Sequence, residues 1–147
     1  MNKQALFQHI SDLLAEKISR MEANIADLQK DMAEDSKSSA GDKFETSREM
    51  AQQELVKLNT QLKEQQRLKH LADSQSAETL NQVQSGALIE TNKGSFLVGI
   101  PVGNISFEGK ELVGIGMGAP LGQLLLHKKK GDQVSFNNQQ FLIQAVY

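Results

Sequence analysis

The first half of the chain is constrained most by a stripe of apolar residues that recurs every three or four positions. Its members are Ile10, Leu14, Ile18, Met21, Ile25, Leu28 and Met32. Their spacings of four, four, three, four, three and four are typical of a coiled-coil seam with one stutter. Because the stripe covers one face of a helix, it predicts one partner helix.

A second run of apolar residues supplies that partner. It consists of Met50, Leu55, Leu58, Leu62, Leu68 and Leu71. The segment between the two runs is short, so the helices must pack antiparallel. Residues 1–75 contain no Gly except Gly41 and no Pro. We therefore predict an antiparallel coiled-coil hairpin over residues 1–75, with helices of about 30 residues and about 45 Å.

Residues 86–147 follow a different pattern. They hold ten of the eleven Gly and both Pro. The stretch "GALIETNKGSFLVGI" predicts two strands joined by an Asn-Lys-Gly turn, and "GDQVSFNNQQFLIQAVY" predicts two more around Asn137-Asn138. The change in composition marks a second domain over residues 86–147, joined to the hairpin by a neck at residues 76–85.

One short helix is predicted between these strand pairs, in "APLGQLLLHKKKGD". Pro120 suits a first helical turn, and Gly131 suits a stop. Leu121, Leu124 and Leu125 would give this helix its apolar face. The predicted fold class is therefore α+β, a helical hairpin followed by a small α+β domain.

Composition excludes several classes of function. The formal net charge of -2 argues against a basic surface over the whole chain for duplex nucleic acid. The lack of Cys excludes disulfides, thiolate nucleophiles and Cys-based zinc sites. The sequence has neither the apolar core of a signal peptide nor a run of membrane-spanning length, so we expect a cytoplasmic protein with no membrane partner.

Charge is distributed unevenly along the hairpin. Residues 31–54 carry seven acidic and three basic residues. The stem that follows carries Lys57, Lys63, Arg67 and Lys69 against Glu64. One interpretation is a solvated hairpin whose charges keep it soluble. The other is an acidic tip and a basic stem with separate roles.

Asp42 and Glu45 at the tip have two interpretations. Asp-x-x-Glu is a plausible capping box, in which Asp42 caps the second helix. Thr46 and Glu49 form a competing capping box that would leave Asp42 and Glu45 in the loop. Two free carboxylates can bind Mg²⁺ through one oxygen each, although only weakly. Such a half-site makes most sense when another macromolecule supplies the remaining ligands.

Other candidate sites are weaker. The three histidines, His9, His70 and His127, lack partners at metal-ligand spacing. Gly114, Gly116 and Gly118 match no phosphate-binding fingerprint, so they indicate close backbone approach or a strand-to-helix turn. The run "HKKKGD" could contact phosphate, or its cations could stabilise a helix C-terminus.

The order of a long helical hairpin with an acidic tip and a small α+β domain resembles the bacterial Gre transcript-cleavage factors over nearly the whole chain. "GDKFETSREMAQQE" is similar to their pattern of Gly-Asp, two residues and Glu before the second helix, so Asp42 and Glu45 fall on the acidic positions. "GAPLGQLLLHKKKGDQVSF" is similar to the family's "SPLGKALLGKKVGDEV" segment. The chain differs in having "TSRE" where the family usually has "NAEY", and Gly118-Ala119 where it commonly has a polar residue and Ser.

The resemblance implies an FKBP-like second domain without isomerase activity, which docks on RNA polymerase beside the secondary channel while the hairpin enters it. The docking edge would be Gly118, Ala119, Pro120 and Leu121. The resemblance also implies that Asp42 and Glu45 hold a Mg²⁺ shared with polymerase. Because two carboxylates are too few ligands, we expect the chain alone to bind none. In the same way, Lys57, Lys63, Arg67 and Lys69 would contact nucleic-acid phosphates.

On this hypothesis the chain is an accessory elongation factor rather than an enzyme. It stimulates cleavage of backtracked RNA, and its partners are RNA polymerase and nascent RNA, with no small-molecule substrate. One alternative is a Gre-like channel-binding modulator or inhibitor without cleavage activity. Another is a coiled-coil scaffold unrelated to transcription. Asp42 and Glu45 are the residues that favour the first hypothesis over the second.

Overall fold

The structure is a computed structural model that describes the backbone of residues 1–38 and 42–147 and the side chains of residues 1–34 and 45–147. Its elements in chain order are α1 (Lys3–Ser38), α2 (Asp42–Ser74), β1 (Leu88–Thr91), β2 (Gly94–Val98), β3 (Gly103–Phe107), β4 (Lys110–Ile115), α3 (Pro120–Leu125), β5 (Gln133–Phe136) and β6 (Gln139–Val146). They form two compact units. We call Asp12–Lys69 the hairpin unit, and Met1–Ser11 together with His70–Tyr147 the sheet unit. The predicted α+β fold class is confirmed.

The hairpin unit has a seam of apolar side chains on each helix. On α1, Leu14, Ile18 and Ile25 are buried, and Met21, Leu28 and Met32 are half-buried. On α2, the half-buried positions at heptad spacing are Ala51, Leu55, Leu58, Leu62 and Gln65. Reduced exposure along one stripe of each helix is what a two-helix coiled coil produces. None of the described helices is long and apolar enough to cross a membrane.

Met50 does not belong to this seam, so that part of the prediction was wrong. Its side chain is 65% exposed, whereas the neighbouring Ala51 is half-buried. One residue turns a helix by about 100°, so the seam can pass through only one of two neighbours. Leu55 and Leu58 fix the seam at Ala51, four residues before Leu55, rather than at Met50.

The sheet unit contains a six-stranded sheet in the order β3-β4-β2-β1-β6-β5. Neighbouring strands are antiparallel except for β2 and β4, which are parallel. The chain therefore leaves β2, forms the edge strand β3 and returns as β4. The predicted strands did not include β3, although its residues 104–107 alternate between polar and apolar, with Ile105 buried and Phe107 half-buried.

Two-residue turns with positive φ join β5 to β6 and β3 to β4. Asn137 and Asn138 between β5 and β6 have φ of 51° and 62°, as the predicted turn requires. Glu108 and Gly109 join β3 to β4 with φ of 51° and 75°. These positive values are typical of type I′ turns, whose twist matches that of the flanking strands.

One face of the sheet packs against α3. The buried members of this cluster are Val83, Ala87, Ile89, Val98, Leu125, Val134, Phe141 and Ile143. On α3, Leu125 and Gly122 are buried, Leu121 is half-buried and Leu124 is 42% exposed. The prediction that Leu124 belongs to the apolar face of this helix was therefore wrong. A six-residue helix has fewer than two turns, so it buries only one narrow side.

The opposite face of the sheet is covered by the first turns of α1. Its buried side chains are Leu88, Leu97, Ile105 and Leu112, which alternate with those of the α3 face. Leu6 and Ile10 of α1 are also almost completely buried. The ring of His9 lies 5.2 Å from that of Phe107, and His9 Nε2 lies 3.1 Å from the carbonyl oxygen of Ser106. The N-terminal helix is thus part of the core of the sheet unit.

Lys3 fixes the start of α1 within the sheet unit. Its side chain is only 4% exposed. The Nζ atom donates to the carbonyl oxygen of Glu78 at 2.8 Å and to that of Tyr147 at 3.2 Å. Burial lowers the pKa of Lys3. The amine therefore joins α1 to two segments far away in the sequence.

The backbone segment that precedes α3 lies close against Gly122. A Cβ atom added there would meet the carbonyl oxygen of Gly116, whereas one added at Gly118 would meet nothing within 4 Å. We predict that Gly122→Ala lowers the free energy of unfolding by about 1–3 kcal/mol, because backbone atoms must move. Gly118→Ala is the control and should change it little. Urea denaturation measures both, and equal effects of the two variants would contradict the close approach.

A second prediction concerns Lys3. Lys3→Met keeps the apolar stem but removes the donor from two backbone carbonyls, so we expect a loss of about 1–3 kcal/mol in the free energy of unfolding. Lys17→Met on the exposed side of the same helix is the matched control. Thermal and urea unfolding should show a loss only for Lys3→Met. A variant as stable as the unchanged chain would show that the amine does not stabilise the sheet unit.

Candidate functional site at the acidic end of the hairpin

The start of α2 excludes one of the two capping interpretations of the tip. The helix begins at Asp42, so Glu45 lies in its first turn and Thr46 lies inside the helix. Thr46 therefore does not cap α2, and the alternative that leaves Asp42 and Glu45 in a loop is not realised. The side chain of Asp42 lies outside the described residues. Glu45 keeps an exposed carboxylate even though its backbone is helical.

Glu45 and Glu49 are exposed one helical turn apart. At about 100° per residue, both point away from the seam through Ala51 and Leu55. On α1, Asp31 and Glu34 near the end of the helix are also exposed. The described part of the tip thus presents carboxylates to solvent rather than to the partner helix.

The ligand atoms at the tip are of the type that binds Mg²⁺, because carboxylate oxygens are the hard ligands that this ion prefers. The number of such ligands is small. Among the described residues, no group of three or more His, Asp or Glu is placed to hold a metal ion. Glu45 can therefore contribute one ligand, and any Mg²⁺ bound there needs further ligands from Asp42 and from outside the described part of the chain.

The four basic residues of the stem do not share one face of α2. Lys63 and Arg67 are one turn apart and both exposed, whereas Lys69 is half-buried towards the seam. Lys57 is also exposed, but it lies about 120° from Lys63 around the axis of α2. The structure therefore brings together two of the four predicted nucleic-acid contacts.

Arg67 already has an acidic partner. Its Nη2 and Nε donate to the two carboxylate oxygens of Glu64 at 2.7 and 3.0 Å. This bidentate pair lowers the pKa of Glu64 and raises that of Arg67. Both side chains are about half exposed, so solvent weakens the pair. A phosphate can approach Arg67, but it competes with Glu64 for the guanidinium.

The predicted docking edge lies at the start of α3. Pro120 is the first residue of this helix, and the carbonyl oxygen of Ala119 accepts the Gln123 N–H at 2.9 Å. Gly118 and Pro120 are exposed, while Ala119 and Leu121 are half-buried. Leu124, one turn after Pro120, adds an exposed apolar side chain that sequence reasoning had assigned to the core. No sequence signal separates it from Leu125.

Comparison with known proteins finds matches among solved structures only. No family model matches the chain. No curated protein matches it either. A structure of the transcription factor Gfh1 is 18% identical over 93% of this chain and 92% of its own, with a TM-score of 0.39. The crystal structure of GreA factor homolog 1 (Gfh1) of Thermus thermophilus is 17% identical over 93% and 94%, with a TM-score of 0.34. Because these identities and TM-scores are low, the similarity does not by itself assign a function.

The donor set of the tip predicts how the isolated chain responds to Mg²⁺. Titration calorimetry should give no saturable binding, because too few carboxylates are present to offset partial dehydration of the ion. The double variant Asp42→Asn, Glu45→Gln should give the same trace as the unchanged chain. Micromolar binding that the double variant abolishes would show that the tip is a complete metal site.

Proposed function

We propose that this chain is an RNA polymerase-binding transcription elongation factor, whose hairpin enters the secondary channel and stimulates cleavage of backtracked RNA. The observation that supports this most is the exposed carboxylate of Glu45 in the first turn of α2, beside Asp42. The 33 residues of α2 extend about 50 Å. A helix of this length can carry carboxylates into an active site that surface loops cannot reach.

In this proposal Asp42 and Glu45 would hold a Mg²⁺ ion together with ligands from polymerase. Such an ion would supply charge stabilisation at the phosphate oxygens and at the attacking water. The ionised carboxylate of Glu45 accepts hydrogen bonds only, so it can also orient a water molecule. The chain is then an accessory factor that completes the hydrolytic site of polymerase and has none of its own.

The remaining predicted residues have supporting roles. Gly118, Ala119, Pro120 and Leu121 would form the contact of the sheet unit with polymerase. The exposed cations Lys57 and Lys63 lie about 120° apart around α2, so they would contact different phosphates of nascent RNA, through salt-sensitive interactions. Arg67 and Lys69 would contribute less, because Arg67 is paired with Glu64 and Lys69 is half-buried.

A second candidate function is a channel-binding modulator that inhibits polymerase without promoting cleavage. It is favoured by the four residues that follow Glu45. Thr46, Ser47, Arg48 and Glu49 are exposed and none is aromatic, where the Gre pattern usually ends in Tyr. Arg48 also lies one turn from Glu45 and reduces the negative potential there.

Incubation with backtracked elongation complexes of polymerase from the same organism tests both candidates. We predict that the unchanged chain shortens the RNA, and that Asp42→Asn, Glu45→Gln lowers the cleavage rate by orders of magnitude, because the charge that holds Mg²⁺ is lost. Glu54→Gln, an exposed carboxylate further along α2, is the matched control and should retain full activity.

Binding to polymerase is measured in parallel, by co-sedimentation of each variant. The double variant should bind as well as the unchanged chain, because amide side chains preserve size and capping capacity. Full cleavage by the double variant would exclude the catalytic role of Asp42 and Glu45. Binding without cleavage by the unchanged chain would favour the modulator, and lack of binding would contradict both candidates.

A further inference from the structure

The basic run after α3 lies outside the helix. We call residues 127–132 the lysine loop. α3 ends at Leu125 and has no basic residue in its last turn, so Lys128, Lys129 and Lys130 all lie beyond its end. Cations stabilise a helix dipole mainly within the last turn. Stabilisation of the helix C-terminus therefore does not account for three consecutive lysines.

The first part of the lysine loop is held by backbone hydrogen bonds to Val83. The His127 N–H donates to the Val83 carbonyl at 2.8 Å, and the Val83 N–H donates to the Lys128 carbonyl at 2.8 Å. Val83 itself is completely buried in the cluster under α3. This end of the loop is therefore anchored to the core of the sheet unit.

The second part of the lysine loop is a closed turn anchored to β6. The Gly131 N–H donates to the Ile143 carbonyl at 2.7 Å, and the Ile143 N–H donates to the Asp132 carbonyl at 2.9 Å. Asp132 N–H donates to the Lys129 carbonyl, while the Lys129 N–H donates to Asp132 Oδ2 at 2.8 Å. Gly131 has φ of 93°, which closes the turn without strain. The backbone of the loop is thus fixed at both ends.

The three lysine side chains are exposed, and among the described residues none of them forms a side-chain hydrogen bond or an ion pair. Within the described part of the chain, ion pairs join Arg20 to Glu16 and Arg67 to Glu64, and none involves the lysine loop. The acidic residue of the loop, Asp132, directs one carboxylate oxygen to the backbone N–H of Lys129. The loop is therefore a local concentration of positive charge on a chain whose formal net charge is -2.

We infer that the lysine loop binds the phosphodiester backbone of a nucleic acid, independently of the hairpin and of the function proposed above. A fixed loop has little backbone entropy to lose on binding. Lysine ammonium groups contact phosphates as point charges and read no base sequence. A protein partner is less suited to this surface, because protein interfaces are depleted of Lys and enriched in Arg and aromatic residues, which the loop lacks.

Fluorescence anisotropy with a labelled single-stranded oligouridylate tests this inference on the full chain without polymerase. We expect Lys128→Gln, Lys129→Gln, Lys130→Gln to weaken binding at least tenfold at low salt. The slope of log affinity against log salt should become shallower by about 2, from three contacts of about 0.7 each. An oligocytidylate of the same length should bind with similar affinity.

The matched control is Lys17→Gln, Lys93→Gln, Lys110→Gln, which removes the same charge from exposed lysines elsewhere. It should keep the affinity and salt slope of the unchanged chain. An equal loss in both triple variants would overturn the inference, because net charge alone would then explain binding. Unchanged binding by the lysine-loop variant would also overturn it. The inference would also be overturned if polyglutamate bound as tightly as RNA and the lysine-loop variant lost this binding. That result would identify an acidic protein surface as the partner. Because this experiment measures RNA binding without polymerase, a negative result would not bear on the cleavage assay.

Discussion

The sheet must be covered on both faces, and this requirement links the two ends of the chain. α3 is only six residues long, and it covers one face together with Val83 and the apolar residues around it. The other face carries Leu88, Leu97 and Leu112, which would meet water without the first turns of α1. Burial of such side chains contributes roughly 1.5–3 kcal/mol each. The core of the small domain therefore includes residues that belong by composition to the helical hairpin.

The long helices and the tight turns could be predicted because their signals are local. The spacing from Ile10 to Met32 needs no knowledge of the partner, and Asn137-Asn138 fits a turn in which both residues have positive φ. Edge strand β3 has a weaker local signal. Polar and apolar residues alternate over only four positions, 104–107, which is the shortest run that indicates a strand, and its hydrogen bonds come from β4.

The candidate site shows the same division between local and tertiary information. Asp42 and Glu45 could be proposed from residue type and spacing, whereas the start of α2 four residues before Thr46 could not be predicted, because both capping boxes satisfy the same rule. The exposure of Met50 and Leu124 follows from one step of helix rotation, which apolar character alone does not reveal. Likewise, four cations in the sequence of the stem become two on one face once the helix is built.

The contact between Lys3 and the carbonyl oxygen of Tyr147 joins residues 144 positions apart. During synthesis, the hairpin unit emerges well before β5 and β6. Its seam joins α1 and α2, which are consecutive in the sequence. The first turns of α1 can bury Leu6 and Ile10 only after β1 to β4 are made, and Lys3 can reach Tyr147 only after β6 is complete. Contacts of such long sequence separation form slowly. The chain is thus expected to fold from its middle outwards, and the interval before closure is when its apolar N-terminal turns are open to chaperones or to aggregation.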